Sequence, residues 1–236
     1  MLELENVSYY HNVYRVFHRS KKQILSHVCL RIEYGKNYAI MGKSGSGKST
    51  LAQIMCGLLK PQVDECGVRG AVRFQGKDLS LGSLESRRGF YSQVQMLFQD
   101  SIGSLNPRLS CYENVIEPLL YLGTSAQARE RVVAMLNKVG LDECILDKSV
   151  AMISGGEAQR ICLVRALLLN PRILILDESL SGLDYELCFE VLDMLMRWQA
   201  QTQASIVAIT HDEKIALSLC GRIALVENGS LKDLAP

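Results

Sequence analysis

Two separated segments of this chain carry residue types suited to a polyphosphate. Gly42-Lys43-Ser44-Gly45-Ser46-Gly47-Lys48-Ser49-Thr50 fits the pattern G-x-x-x-x-G-K-[ST] from Gly42 to Ser49. Glycines at that spacing let the backbone turn its N–H groups inward around phosphates, and a helix beginning near Lys48 points its positive end at them. Lys48 is then the cation for the β- and γ-phosphates, and the Ser49 hydroxyl is a ligand for Mg2+. Further on, the apolar run 172–176 ends in Asp177-Glu178. Asp177 suits Mg2+, directly or through water, and Glu178 beside it can polarise an attacking water, which is the chemistry of hydrolysis and not of binding alone.

The flanking elements have the right order to position these groups. Residues 36–41 read as a buried strand and 49–59 as a helix, so the glycine-rich loop joins strand to helix. The run before Asp177 suits a strand buried on both faces of a parallel sheet. A third segment, Ile153-Ser154-Gly155-Gly156-Glu157, offers a hydroxyl and two small residues at the start of a helix over 157–168. Phe98-Gln99-Asp100 follows a strand-like 94–97, Ser181-Gly182-Leu183-Asp184 follows the acidic pair, and His211 follows the apolar strand 205–209. A histidine there can bond a phosphate oxygen through one ring nitrogen while the protein holds the other.

In this order and spacing the segments resemble the nucleotide-binding subunit of an ATP-binding-cassette (ABC) machine. The resemblance implies an α/β fold, an ABC-type P-loop NTPase core with an antiparallel β subdomain and an inserted helical subdomain at about 101–170, all one domain over 1–236. It implies ATP and Mg2+ as cofactors, with Ser49, Gln99 and Asp177 toward the metal and Glu178, His211 and Gln99 in the catalytic group. It further implies that Ser154, Gly155 and Gly156 serve the ATP of a partner subunit, and that 181–184 communicates across that dimer. Ile153 and Glu157 depart from the commoner Leu and Gln of this signature; Glu157 brings a negative charge toward the nucleotide. The family stacks an aromatic on adenine, and by position Tyr10 is expected in that role, with His11 close behind, both in a long hairpin loop.

The stretch 95–108 (Gln-Met-Leu-Phe-Gln-Asp-Ser-Ile-Gly-Ser-Leu-Asn-Pro-Arg) resembles ABC importers for nickel, dipeptides and oligopeptides, and 146–148 with 159–167 resembles the nickel-importing members. The implied partners are a homologous ATPase subunit, in a heterodimer or a homodimer, two integral membrane permease subunits and, indirectly, a periplasmic substrate-binding protein. The implied location is peripheral, on the cytoplasmic face of the inner membrane. A peptide importer and an exporter use the same cassette chemistry and remain open. A metabolic kinase would lack the Ser154-Gly155-Gly156 signature, and a chromosome-maintenance protein would need a long coiled coil between Thr50 and Ile153.

Composition narrows the class. The chain has 236 residues, with 26 basic against 25 acidic side chains, so there is no basic field of the kind that drives nucleic-acid binding. No stretch approaches the ~20 apolar residues that span a bilayer, and the first residues lack a signal-peptide pattern, so a cytosolic chain is expected. Eight cysteines show no C-x-x-C pair and mostly sit in apolar runs, the pattern of buried thiols and not of a metal site. The basic cluster His18-Arg19-Ser20-Lys21-Lys22 reads as a solvated loop. Strands are expected at 2–8, 26–33, 70–74 and 222–226, helices at 112–122, 126–139, 184–201 and 212–220, and an Asn228-Gly229 hairpin near the end.

Overall fold

A computed structural model describes residues 1–15, 18–124, 126–180, 183–219 and 221–234. They form two compact units, Met1–Ser83 with Ser205–Pro236, and Leu84–Ala204.

In the first unit an antiparallel sheet runs β2-β1-β4-β5, built from β1 (Leu2–Arg15), β2 (His18–Ile32), β4 (Ala71–Phe74) and β5 (Lys77–Asp78). Leu2, Leu4, Leu25 and Ile32 are fully buried and hold β1 against β2. These two strands extend well past the expected ends, so the segment taken as a loop is a paired ladder in which His11 faces Lys22 and Asn12 faces Lys21. Ser20, Lys21 and Lys22 are exposed on that ladder and not on a loop. A second set of strands runs β10-β9-β3-β8: β3 (Tyr38–Met41) lies parallel to both β8 (Ser205–Ile209) and β9 (Arg222–Glu227), and β10 (Ser230–Leu234) returns antiparallel to β9. Asn228 and Gly229 both take positive φ, at 50° and 77°, as a two-residue hairpin of this type requires. Helices α1 (Lys48–Met55) and α7 (Glu213–Leu219) belong to this unit, with Leu51, Ile54 and Met55 of α1 wholly buried.

Among the described residues the second unit contains the parallel pair β6 (Val94–Leu97) and β7 (Ile173–Asp177) and the α-helices α2 (Leu84–Tyr91), α3 (Cys111–Leu122), α4 (Ala128–Lys138), α5 (Gly155–Leu167) and α6 (Tyr185–Thr202). The expected helical segment lies inside this unit, which also takes in α2, β6, β7 and α6. Of the apolar stripe on α4, Val132 and Leu136 are fully buried and Val139 nearly so, while Met135 is half-buried. Every residue of β7 is buried, as its unbroken apolar run requires. No described helix is long and apolar enough to cross a membrane.

Helices α3 and α5 start on the same device. Ser110 caps α3, accepting from the Glu113 N–H at 3.2 Å while Glu113 accepts from the Ser110 N–H at 2.7 Å. Ser154 and Glu157 repeat this at α5 with the same two distances, 3.2 and 2.7 Å. The Ser154 backbone N–H, with the Ser154 hydroxyl beside it, holds the Glu157 carboxyl below the usual carboxylate range. A depressed carboxyl pKa stabilises the fold above its unfolded value and loses that contribution as pH falls through the folded one. Glutamine also completes such a box but does not titrate. The urea midpoint of the wild type should therefore fall relative to Glu157→Gln as pH drops below about 4.3, the ordinary glutamate value. Parallel curves for the two proteins down to acid pH would remove Glu157 from this role.

Candidate active site

The polar groups of the first unit leave one edge of its parallel strands. Ile40 of β3 is registered with Ile209 of β8, so Gly42 and His211 each lie two residues beyond the same rung. From Gly42 the backbone is pressed against neighbouring strands. Gly42 has φ 152° and a Cβ there would stand 2.5 Å from the Val226 carbonyl oxygen. Gly47 has φ 108°, and a Cβ would stand 2.9 Å from the Ile24 carbonyl oxygen. No side chain fits at either position, which explains these two glycines independently of any ligand.

Lys48, 5 % exposed, folds back inside the loop and donates from Nζ to the carbonyls of Gly42 at 2.9 Å and Lys43 at 3.1 Å. The Ser46 N–H donates to the Lys43 carbonyl at 3.1 Å, closing the turn. Inside it the Ser46 Oγ is buried and has no hydrogen-bond partner. Leaving a hydroxyl in that state costs about 1–3 kcal/mol, which a phosphate oxygen accepting its proton would offset. Ser44, Gly45 and Ser49 are exposed and Thr50 half-buried at the start of α1. His211 is exposed; its turn is held by the Thr210 N–H donating to the Ile40 carbonyl at 3.2 Å and the Asp212 N–H donating to Thr210 Oγ1 at 3.0 Å.

The second unit repeats this register. Leu97 of β6 pairs with Leu176 of β7, so Gln99 and Glu178 are each two residues beyond a common rung. There the side chains meet, Gln99 Nε2 donating to Glu178 Oε2 at 3.2 Å. Glu178 has φ 47°, a left-handed backbone that costs a non-glycine residue about 1–3 kcal/mol. Strain at a chain position that also carries a carboxylate beside an amide sensor marks a group held in place by its surroundings. Asp177 is 4 % exposed at the end of β7.

Ser154, Gly155 and Gly156 open α5, with Ser154 and Gly155 exposed. Both departures in this segment have local explanations. Ile153 is buried, so its change from leucine is a packing change. The Glu157 carboxylate is spent on the Ser154 N–H, which ties its charge to the cap. Asp184 caps α6, accepting from the Leu187 N–H at 2.9 Å, while Ser181 and Gly182 lie outside the described residues.

The expectation for Tyr10 is not met. Its ring is only 9 % exposed, its hydroxyl accepts from Gln23 Nε2 at 3.3 Å, and burial, followed by the nearby Glu65 and Asp64 charges, raises its pKa. A ring enclosed in this way has no open face for a base. Leu2 and Leu4 point inward in alternation, the register then shifts between Leu4 and Tyr10, and beyond those shifts Tyr10 is buried while His11 is exposed and set edge-on to Tyr9 at 5.4 Å between centroids.

The cysteines divide: Cys56, Cys111, Cys162 and Cys188 are buried, whereas Cys29, Cys66 and Cys144 are exposed. Cys220 is outside the described residues. No cluster of three or more His, Cys, Asp or Glu able to hold a metal ion occurs among the described residues. Sequence reasoning missed α2, whose only buried residue is Phe90, and missed the contacts that α5 makes with the turn after Gln99.

Comparison with known proteins agrees with this geometry. Residues 25–181 match the family model described as ABC transporter. The chain is 38% identical over 229 residues to the nickel import ATP-binding protein NikE of Rhodospirillum rubrum, covering 96% of this chain and 80% of that protein. It is 37% identical over 210 residues to NikE of Escherichia coli K12, covering 88% and 76%. Among solved structures, the ATP-binding cassette MJ0796, in a dimeric post-hydrolysis state bound to ADP and Pi, matches with TM-score 0.87 and 27% identity over 100% of both chains. The structure of cbiO1 from Clostridium perfringens, part of the ABC transporter complex cbiONQ, matches with TM-score 0.77 and 27% identity over 98% of this chain and 86% of that one. With a phosphate loop, an acidic strand end and a signature helix in their family order, this chain belongs to the ABC transporter family as one of its ATP-hydrolysing subunits.

Proposed function

We propose that this chain powers nickel uptake as the ATPase subunit of an importer. The observation that carries the cargo is the likeness to nickel import ATP-binding proteins along nearly the whole chain. The observation that carries the mechanism is the Gln99–Glu178 hydrogen bond. Within this reading 1–236 works as one cassette, with its helical part at about 101–170 and the signature facing a second cassette.

The phosphate loop from Gly42 to Thr50 binds the triphosphate of the chain's own ATP. Lys48 neutralises the β- and γ-phosphates and Ser46 gives its unpaired hydroxyl to a phosphate oxygen. Glu178 accepts the proton of the attacking water. Gln99 reports the γ-phosphate to Glu178 through the amide that now bonds it, and His211 donates to a phosphate oxygen. Ser49, Gln99 and Asp177 supply a hydroxyl, an amide oxygen and a carboxylate, an all-oxygen set that suits Mg2+. Mg2+ held there would offset the charge on the β- and γ-phosphate oxygens. Adenine stacks on His11, the exposed ring next to the buried Tyr10.

Ser154, Gly155 and Gly156 complete the site of a homologous ATPase subunit, so each ATP lies between a phosphate loop and a signature helix. Closure on two ATP molecules and reopening after hydrolysis drive two integral membrane permease subunits between two states. A periplasmic binding protein delivers the cargo, and the ATPase sits peripherally on the cytoplasmic face of the inner membrane.

Glu178→Gln should lower kcat for ATP by about 10²–10⁴, the range for loss of a general base, while ATP binding measured by fluorescence titration persists. Wild-type turnover in that variant would take Glu178 out of catalysis. Reconstituted in vesicles with its membrane subunits and binding protein, the complex should accumulate radioactive nickel with ATP, unaffected by excess dipeptide. ATP-driven uptake of the dipeptide without nickel would move the assignment to a peptide importer.

A further inference from the structure

Gln99 is exposed and its bond to Glu178 is a single contact at 3.2 Å, so its place must be set by the chain on either side. On one side is β6, anchored by the buried Leu97. On the other is the turn 101–105, which closes on itself: the Ser104 N–H and hydroxyl both donate to the Ser101 carbonyl, at 3.3 and 2.8 Å, and the Leu105 N–H donates to the Ile102 carbonyl at 3.1 Å. Asp100, the residue after Gln99, accepts from the Gly103 N–H at 2.8 Å.

This turn is gripped by the C-terminal half of α5. Arg165 donates from Nη1 to the Ser104 carbonyl at 3.0 Å and from Nη2 to Ser104 Oγ at 3.4 Å. One helical turn earlier, Cys162 places its Sγ 3.4 Å from the Ser101 carbonyl and 3.2 Å from Ser104 Oγ. Burial pushes the Cys162 thiol pKa up, so it stays a neutral donor and not a nucleophile. The planar guanidinium holds two acceptors of one residue at once, which an ammonium cannot do with the same geometry.

We propose that Arg165 is a positioning residue for ATP hydrolysis, clamping the turn 101–104 on the signature helix so that Gln99 is held against Glu178. Ser154 caps the same helix, so the group that meets a neighbour's nucleotide lies at one end of a rigid rod whose other end grips the turn that follows Gln99. Thirteen residues at about 1.5 Å rise make that rod about 20 Å long. The inference rests on the catalytic roles given above to Gln99 and Glu178.

The test is a double-mutant cycle on ATP hydrolysis by the complex isolated through a tag on this chain, using Arg165→Ala, Gln99→Ala and the pair. Arg165→Ala should lower kcat about tenfold, the order expected when a catalytic group is misplaced by a fraction of an ångström, with KM for ATP changed by less than about twofold. In the Gln99→Ala background the same substitution should cause no further loss, because the group it positions is gone. Arg165→Lys should recover part of the loss. Equal fold-losses in both backgrounds would overturn the inference and leave the site intact. Unchanged kcat in Gln99→Ala alone would overturn the role given to Gln99, and this inference with it. If Arg165→Ala is recovered only as aggregate, Arg165→Lys with Ser104→Ala carries the same cycle under the same criterion.

Discussion

Pairing apolar strands in parallel removes freedom at their C-terminal ends, because a ladder that registers Ile40 with Ile209, or Leu97 with Leu176, also fixes where the next two residues of each strand emerge. The chain spends its most apolar segments on these ladders: all of β7 and β8 is buried. Asp177 closes β7, and Glu178, Gln99 and His211 follow within two residues of their strands. A slip of one position would turn each strand's side chains to the opposite face, where each would meet packing shaped for its neighbour, and close packing makes that mismatch costly. The chemistry is therefore aligned by hydrophobic packing, and hydrogen bonds such as Gln99–Glu178 refine a placement that burial has already made.

The phosphate loop shows how a catalytic feature can also be a packing requirement. Gly42 and Gly47 lie where the carbonyls of Val226 and Ile24 leave no space for a side chain. Lys48 turns inward onto the loop's own carbonyls, which fixes the position of its charge. Pre-organisation of this sort lowers the reorganisation needed on binding. The unpartnered Ser46 hydroxyl is its complement, a cost carried by the folded chain that a phosphate relieves.

Much of this was legible from residue order. The strand 205–209 and the Asn228-Gly229 hairpin carry local signals strong enough to locate them, and the glycine-rich loop announces the strand and helix on its flanks. Elements without apolar periodicity were not legible. Helix α2 buries only Phe90, and the outer part of the β1–β2 ladder exposes Ser20, Lys21 and Lys22, so nothing in their composition distinguishes them from loop. Tyr10 lies beyond the expected strand end at Ser8, and the register shifts between Leu4 and Tyr10 break the alternation that would tell which ring turns inward. The capping role of Glu157 was within reach, since Ser-x-x-Glu is a helix-start pattern, but its place in a signature segment drew attention to its charge.

Glu178 joins an acid to a left-handed backbone that asparagine or glycine would adopt with less strain. With Glu178 as the proposed general base, folding and turnover pull this position in opposite directions. Selection for activity must keep glutamate there against a gain in stability available from its replacements. A lineage in which the partner cassette alone came to supply the turnover would lose that restraint, and drift would carry this site toward a stable, nucleotide-holding but silent form. An asymmetric pair of cassettes, one working and one bracing, is the end that such a backbone makes easy to reach.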